Sequence, residues 1–212
     1  MMIILLTGVT GFLGKIVALD LLNRYSTNIN KIYFLIRSKK NVSAYDRFQQ
    51  VINNKYLKIF FNRFKNKLDF LDGSLDHVNF GIDKNLLVSL KINIVINCAA
   101  SVNFNENIKI AYKNNCISLK NILKTTENFE YLKKFIHIST FYVNAPKKYN
   151  NNNNNINYIA IENDINNGLD LDKINKKYNI YFENTYVLTK LVAEKIFDNY
   201  IANFKKNIIR PS

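Results

Sequence analysis

Thr7-Gly8-Val9-Thr10-Gly11-Phe12-Leu13-Gly14 follows directly on the apolar run Met2-Ile3-Ile4-Leu5-Leu6. A short buried strand therefore runs into three glycines spaced by three and opens an amphipathic helix. A chain presents a pyrophosphate to backbone N–H groups at a helix N-terminus in this way. Gly8 permits the tight turn, Gly11 lets the backbone approach the phosphate, and Gly14 lets the helix pack on the strand. The chain has six glycines, and three of them are here.

Working outward, apolar runs alternate with helical patterns. The spacing predicts strands at 2–6, 31–36, 66–70, 93–98, 134–138 and 207–209. Helices are predicted at about 12–24, 43–63, 84–91, 108–126 and 184–203. Short, continuously apolar strands, each followed by a helix, imply a parallel sheet covered on both faces. With right-handed crossovers this is a Rossmann-like, doubly wound α/β fold, its ligand at the carboxyl ends of the strands. The 212 residues are expected to form one such domain, 1–212. Residues 147–158, with Asn150 to Asn155 in one run, read as a polar, disordered loop insertion.

Composition excludes several function classes. Thirty basic residues against 16 acidic give a formal charge of +14. Most of the basic residues are lysines, scattered along the chain without a nucleic-acid motif, so no nucleic-acid partner is expected. The accompanying Asn, Ile, Tyr and Phe point to AT-rich codon usage. The remaining positive field would still draw in anionic ligands such as nucleotides and coenzyme A. Two cysteines, Cys98 and Cys116, are too few for a disulfide framework or zinc site, and point to a reducing compartment. Cys98 reads as a small core residue, and His137 as a strand residue. The two histidines offer no metal constellation, and no metal is expected. No signal peptide or run of ~20 apolar residues is present, so no membrane span is expected.

Two further patterns carry chemistry. Where a carboxylate would hold a ribose 2′-hydroxyl, some 20 residues beyond the glycines, the second strand ends in Arg37-Ser38-Lys39-Lys40. A guanidinium binds a 2′-phosphate that a carboxylate would repel, so the expected cofactor is NADP. Tyr186-Val187-Leu188-Thr189-Lys190 sets a phenol and an ammonium on one helical face. A nearby ammonium is expected to lower the tyrosine pKa and make it a proton donor. Ser139-Thr140 ends the fifth strand, where a hydroxyl would face the same crevice.

With these residues in view, the chain resembles the fatty acyl-CoA reductases, also called the male-sterility type, of the extended short-chain dehydrogenase/reductase superfamily. The G-x-x-G-x-x-G spacing and the Tyr/Lys pair belong to the whole superfamily. Ala99-Ala100-Ser101-Val102-Asn103-Phe104 and Ser139-Thr140-Phe141-Tyr142-Val143-Asn144 are more specific to this branch. Ser43 to Phe48, Asn184 to Glu194 and Arg210-Pro211-Ser212 extend the likeness to the last residue.

The resemblance implies Thr140, Tyr186 and Lys190 as the catalytic group, with Ser139 the second choice of hydroxyl. It implies cofactor contacts at Gly8, Thr10, Gly11, Phe12, Leu13, Gly14, Arg37, Gly73, Ala99, Ala100, Asn115, Tyr186 and Lys190. Asn115 would also support the active-site helix. Two departures stand out. Gly73-Ser74, preceded by Asp72, replaces the usual Gly-Asp near the adenine, and the family's C-terminal part is missing, as in a truncated chain. The implied activity is NADPH-dependent reduction of a long-chain acyl-CoA to the alcohol through the aldehyde. It would take place in the cytoplasm or on the cytosolic face of a peroxisome or endoplasmic reticulum. A thioester reductase domain acting on carrier-bound chains, or an inert dinucleotide-binding fragment, are the alternatives. Chain length of the substrate and oligomeric state are not legible.

Overall fold

The structure is a computed structural model, and it describes residues 1–144, 147–148, 157–178 and 180–211. Six strands build one sheet: β1 (Met2–Thr7), β2 (Ile29–Ile36), β3 (Leu68–Asp72), β4 (Ile94–Asn97), β5 (Lys134–Ile138) and β8 (Lys205–Ile209). Their order is β3-β2-β1-β4-β5-β8, and the sheet is parallel and flanked by helices. The chain folds outward through β2 and β3, then returns to the other side of β1. The topological switch point thus lies between β1 and β4, where sheets of this kind place their ligands.

The continuously apolar strands are explained by burial on both faces. Ile4, Leu5, Leu6, Ile32, Phe34, Val95 and Phe135 are wholly inaccessible. The outermost strand β8 differs, with alternate residues exposed and Lys205-Lys206 at its start, a composition that discourages pairing with another chain. At the carboxyl ends three buried polar residues bind neighbouring strands together. Thr7 Oγ1 donates to Asn97 Oδ1 at 2.6 Å, and Asn97 Nδ2 lies 3.3 Å from His137 Nδ1. His137 is thus the strand residue expected. Cys98 is not the core residue expected: the strand ends at Asn97, and Cys98 is part-exposed in the segment beyond it.

Helix α1 (Phe12–Tyr25) buries Gly14, Ala18 and Leu22 at four-residue spacing, as the sequence pattern predicts. The helix predicted over 43–63 is interrupted. Its first part is α2 (Ala44–Ile52), capped by Ser43 Oγ accepting from Asp46 N at 3.0 Å, and its second is α3 (Lys58–Arg63). Asn53 and Asn54 break it, with Asn54 O accepting the Leu57 and Lys58 amides of the turn. Helix α4 (Lys84–Ser89) precedes β4.

The chain packs as two compact units. The first comprises residues 1–99, 121–137 and 202–207 and carries nearly all of the sheet. The second comprises 100–120, 138–201 and 208–212. In the second lie α5 (Ile108–Tyr112), a π-helical turn (Lys113–Ile117) and the start of α6 (Ser118–Thr126). The predicted continuous helix 108–126 therefore contains a wide turn. Two helices not legible in the sequence follow, α7 (Tyr158–Asn166) and α8 (Leu171–Tyr178). They are started by Asn157 Oδ1, which accepts from Ala160 N, and by Asp170 Oδ1, which accepts from Lys173 N. The buried Ile161, Ile165 and Ile174 anchor them. Most of the loop 147–158 lies outside the described residues. At its edges, β6 (Lys147–Lys148) pairs antiparallel with β7 (Ile180–Tyr181), and Tyr158 already belongs to α7. Helix α9 (Thr185–Asn199) closes the unit, its Asn184 cap accepting from Val187 N at 2.9 Å.

One consequence concerns Gly14. A Cβ there would lie 2.6 Å from the Gly8 carbonyl carbon and 2.8 Å from the Val9 Cα. Gly14→Ala should cost about 1–3 kcal/mol through overpacking, despite ~1 kcal/mol of gained helix propensity. Urea unfolding measures it, and a variant more stable than wild type would contradict the packing described.

Candidate active site

In the first unit, the turn after β1 is shaped by backbone contact. Gly8 has φ +75°, and a Cβ there would fall 2.7 Å from the Ala99 nitrogen and 2.7 Å from the Cys98 carbonyl carbon. Only glycine fits that conformation at that distance. Gly11 N donates to Gly8 O at 3.0 Å, which closes the turn. Gly11 is the N-cap of α1; it has no side chain to occupy the first-turn N–H groups, and that turn has no acidic residue. The amides of Phe12, Leu13 and Gly14 are therefore the uncapped, electropositive end of a 14-residue helix. This donor set fits a pyrophosphate. Phe12 is exposed, Leu13 half-buried and Gly14 buried. Ala99 N donates to Thr7 Oγ1 at 3.1 Å, which fixes the segment leaving β4.

Arg37 stands just past β2 with its side chain about half exposed, and its Nη1 pairs with Asp76 at 3.0 Å. Asp76 is itself held by Ser74, whose Oγ donates to it at 3.0 Å. Gly73 is packed tightly, its amide bonded to Ile36 O, while Asp72 is exposed at the end of β3. The carboxylate bonded in this region is thus Asp76, two residues beyond Ser74.

Sequence reasoning missed Arg47 as a site residue. From the first turns of α2 its guanidinium donates to the Arg37 carbonyl and, at 3.3 Å, to Thr10 Oγ1. Burial lowers its pKa, and repulsion from Arg37 lowers it further. Two guanidiniums held close enough to repel each other favour an anion between them. The sequence signal was the family likeness over Ser43 to Phe48, which includes Arg47 but gives it no role.

In the second unit, Thr140, Tyr186 and Lys190 come together. The Thr140 side chain stands near enough to the Tyr186 phenol to draw its pKa down. Thr140 Oγ1 also accepts from Tyr142 N at 3.4 Å, whereas the buried Ser139 hydroxyl has no partner. Phe104 packs on the Tyr186 ring, with centroids 5.6 Å apart. Lys190 is buried, and its Nζ donates to the Ile138 carbonyl at 2.6 Å. The expected lowering of the phenol pKa is not found. Burial raises it above the ordinary tyrosine value, and the nearby Thr140 hydroxyl offsets only part of that.

Asn115 sits in the π-helical turn, buried. Its Oδ1 accepts from Ser101 N at 2.7 Å, and its Nδ2 donates to Ser101 O and, at 3.0 Å, to Thr189 Oγ1. It thereby links the half-exposed Ala100–Ser101 segment to α9 one residue before Lys190. The wide turn is what brings the Asn115 amide to both partners, π-turns commonly marking functional positions. Beside it the buried Cys116 thiol donates to Thr189 O at 3.2 Å, and burial pushes its pKa up, which leaves it inert.

The chain is similar to known proteins in sequence and in fold. The male sterility protein family of NAD-binding domains matches residues 6–212. Fatty acyl-CoA reductase 1 of Mus musculus is 27% identical over 227 residues, covering 99% of this chain. Fatty acyl-CoA reductase 2 of Homo sapiens is 30% identical over 221 residues. The chain spans 42% of the length of each. Among solved structures, the terminal R domain from the myxalamid PKS-NRPS biosynthetic pathway superposes with a TM-score of 0.67. It is 20% identical, and the match covers 99% of this chain and 48% of that one. The chain belongs to the male sterility protein family of NAD-binding domains, and its cofactor is a nicotinamide dinucleotide.

Proposed function

We propose that this chain is the cofactor-binding and catalytic part of an NADPH-dependent reductase that converts a long-chain acyl-CoA thioester to the alcohol through the aldehyde. The observation that carries the reading is that the Thr140 hydroxyl, the Tyr186 phenol and buried Lys190 gather in one place, with Lys190 Nζ held on the Ile138 carbonyl two residues before Thr140. The kinship to fatty acyl-CoA reductases supports the substrate class.

Gly8, Gly11 and Gly14, with the amides of Phe12 and Leu13, would hold the pyrophosphate, and Arg37 and Arg47 a 2′-phosphate. When bound, the dinucleotide would supply one hydride, so the two reductions consume two equivalents of NADPH. Thr140 and Tyr186 act on the substrate carbonyl oxygen: both hydroxyls donate to it and stabilise the negative charge that develops there. Once the thioester carbon is tetrahedral, its C–S bond breaks, the coenzyme A thiolate leaves, and the aldehyde remains. In the second reduction Tyr186 gives its proton to the oxygen, which becomes the alcohol. A phenol with a raised pKa stays protonated at neutral pH, as a proton donor must. Lys190 favours the phenolate left behind and would hold the ribose hydroxyls.

Replacing Arg37 or Arg47 with Ala should weaken NADPH binding by about 1–3 kcal/mol each, the range of a charge-assisted hydrogen bond. NADH binding should barely change. Calorimetric titration of both cofactors decides, and equal losses for the two would contradict the assignment. Tyr186→Phe should lower NADPH oxidation with long-chain acyl-CoA by at least about 10²-fold while sparing NADPH affinity. Lys190→Ala should damage both. Reduction by Tyr186→Phe at the wild-type rate would overturn the mechanism.

A further inference from the structure

We infer that Arg210 and Glu194 form a positioning pair that sets Thr140 against Tyr186 through the end of strand β8. The inference rests on the reading of Thr140 and Tyr186 as the reacting hydroxyls. The residues on both sides of Thr140 are held by carbonyls of one short segment. Ser139 N donates to Ile209 O at 2.7 Å, and Phe141 N donates to Pro211 O at 3.0 Å. The residue between those carbonyls is Arg210, whose guanidinium takes Glu194 in a two-pronged grip. Nε bonds Oε1 at 2.9 Å, and Nη2 bonds Oε2 at 2.7 Å.

Glu194 stands on α9 four residues after Lys190 and eight after Tyr186, on the same helical face. It is 3% exposed. A carboxylate that deep is tolerated only with a well-oriented partner, and a planar guanidinium fixes both distance and angle. The segment Ile209–Pro211 is thus fastened to α9 by its side chain and to the Thr140 loop by its backbone. A shift of Arg210 along or away from α9 would carry the Thr140 loop with it and change how the Thr140 hydroxyl meets the Tyr186 phenol. Neither Arg210 nor Glu194 needs to touch substrate for this.

The test follows Tyr186 by ¹³C NMR of ring-labelled tyrosine, its resonance identified by loss in Tyr186→Phe, as pH is raised. Arg210→Ala should move the Tyr186 midpoint up by about one pH unit, the scale of a lost hydrogen bond to the charged form. In a Thr140→Ala background the same substitution should produce no further shift, because it acts through Thr140. Arg210→Ala leaves Glu194 buried and unpaired and could unfold the chain. Glu194→Leu with Arg210→Leu leaves no charge stranded and should give the same shift. A folded variant with an unmoved Tyr186 midpoint, or with an equal shift in the Thr140→Ala background, would overturn the inference and leave the pair purely structural. Turnover is not read, so a chain that reduces no thioester would overturn the proposed function and leave this result standing.

Discussion

The structure depends on how closely backbones meet at Gly8. Its positive φ turns the chain immediately after β1, its bare Cα lies against the segment leaving β4, and its carbonyl lies against Gly14 at the start of α1. Three consequences follow from that one contact. The carboxyl ends of β1 and β4 are brought together at the switch point, α1 starts directly after that turn, and Gly11 leaves its amides uncovered. Any side chain at Gly8 or Gly14 would push these backbones apart. The buried Thr7–Asn97–His137 contacts reinforce the same place with polar bonds between strands.

The second unit solves a different problem, the burial of charge near a phenol. Lys190, Glu194 and Glu162 are all nearly inaccessible, and each is answered by a specific partner. Lys190 meets the Ile138 carbonyl, Glu194 meets Arg210, and Glu162 meets both Lys120 at 2.8 Å and the Tyr112 hydroxyl at 2.8 Å. Each pair joins segments distant in sequence, so these bonds fix register more than they add net stability. The cost of burial also falls on Tyr186, whose phenol burial holds in the neutral form.

The parts legible in the sequence are those in which local chemistry has a single reading. Three glycines after an apolar run could mean only a tight turn into a helix, and the continuous apolar strands followed from a sheet covered on both faces. Helices α7 and α8 were hidden because their caps, Asn157 and Asp170, stand among many similar Asn and Asp residues. The π-turn was hidden because its residues also suit an α-helix. Arg47 required the orientation of α2, and the Glu194–Arg210 pair required two elements 16 residues apart to be placed side by side. The pKa of Tyr186 was misjudged because spacing shows which charge is near, while burial is a property of the folded chain.

The central claim is that the glycine turn holds the dinucleotide by its phosphates at the α1 N-terminus. It is tested most directly by titrating NADPH into ¹⁵N-labelled protein and following individual amides. The account predicts the largest shifts at Gly11, Phe12, Leu13 and Gly14, saturating together along a single binding curve. Binding that leaves those four amides unmoved while others shift would contradict it.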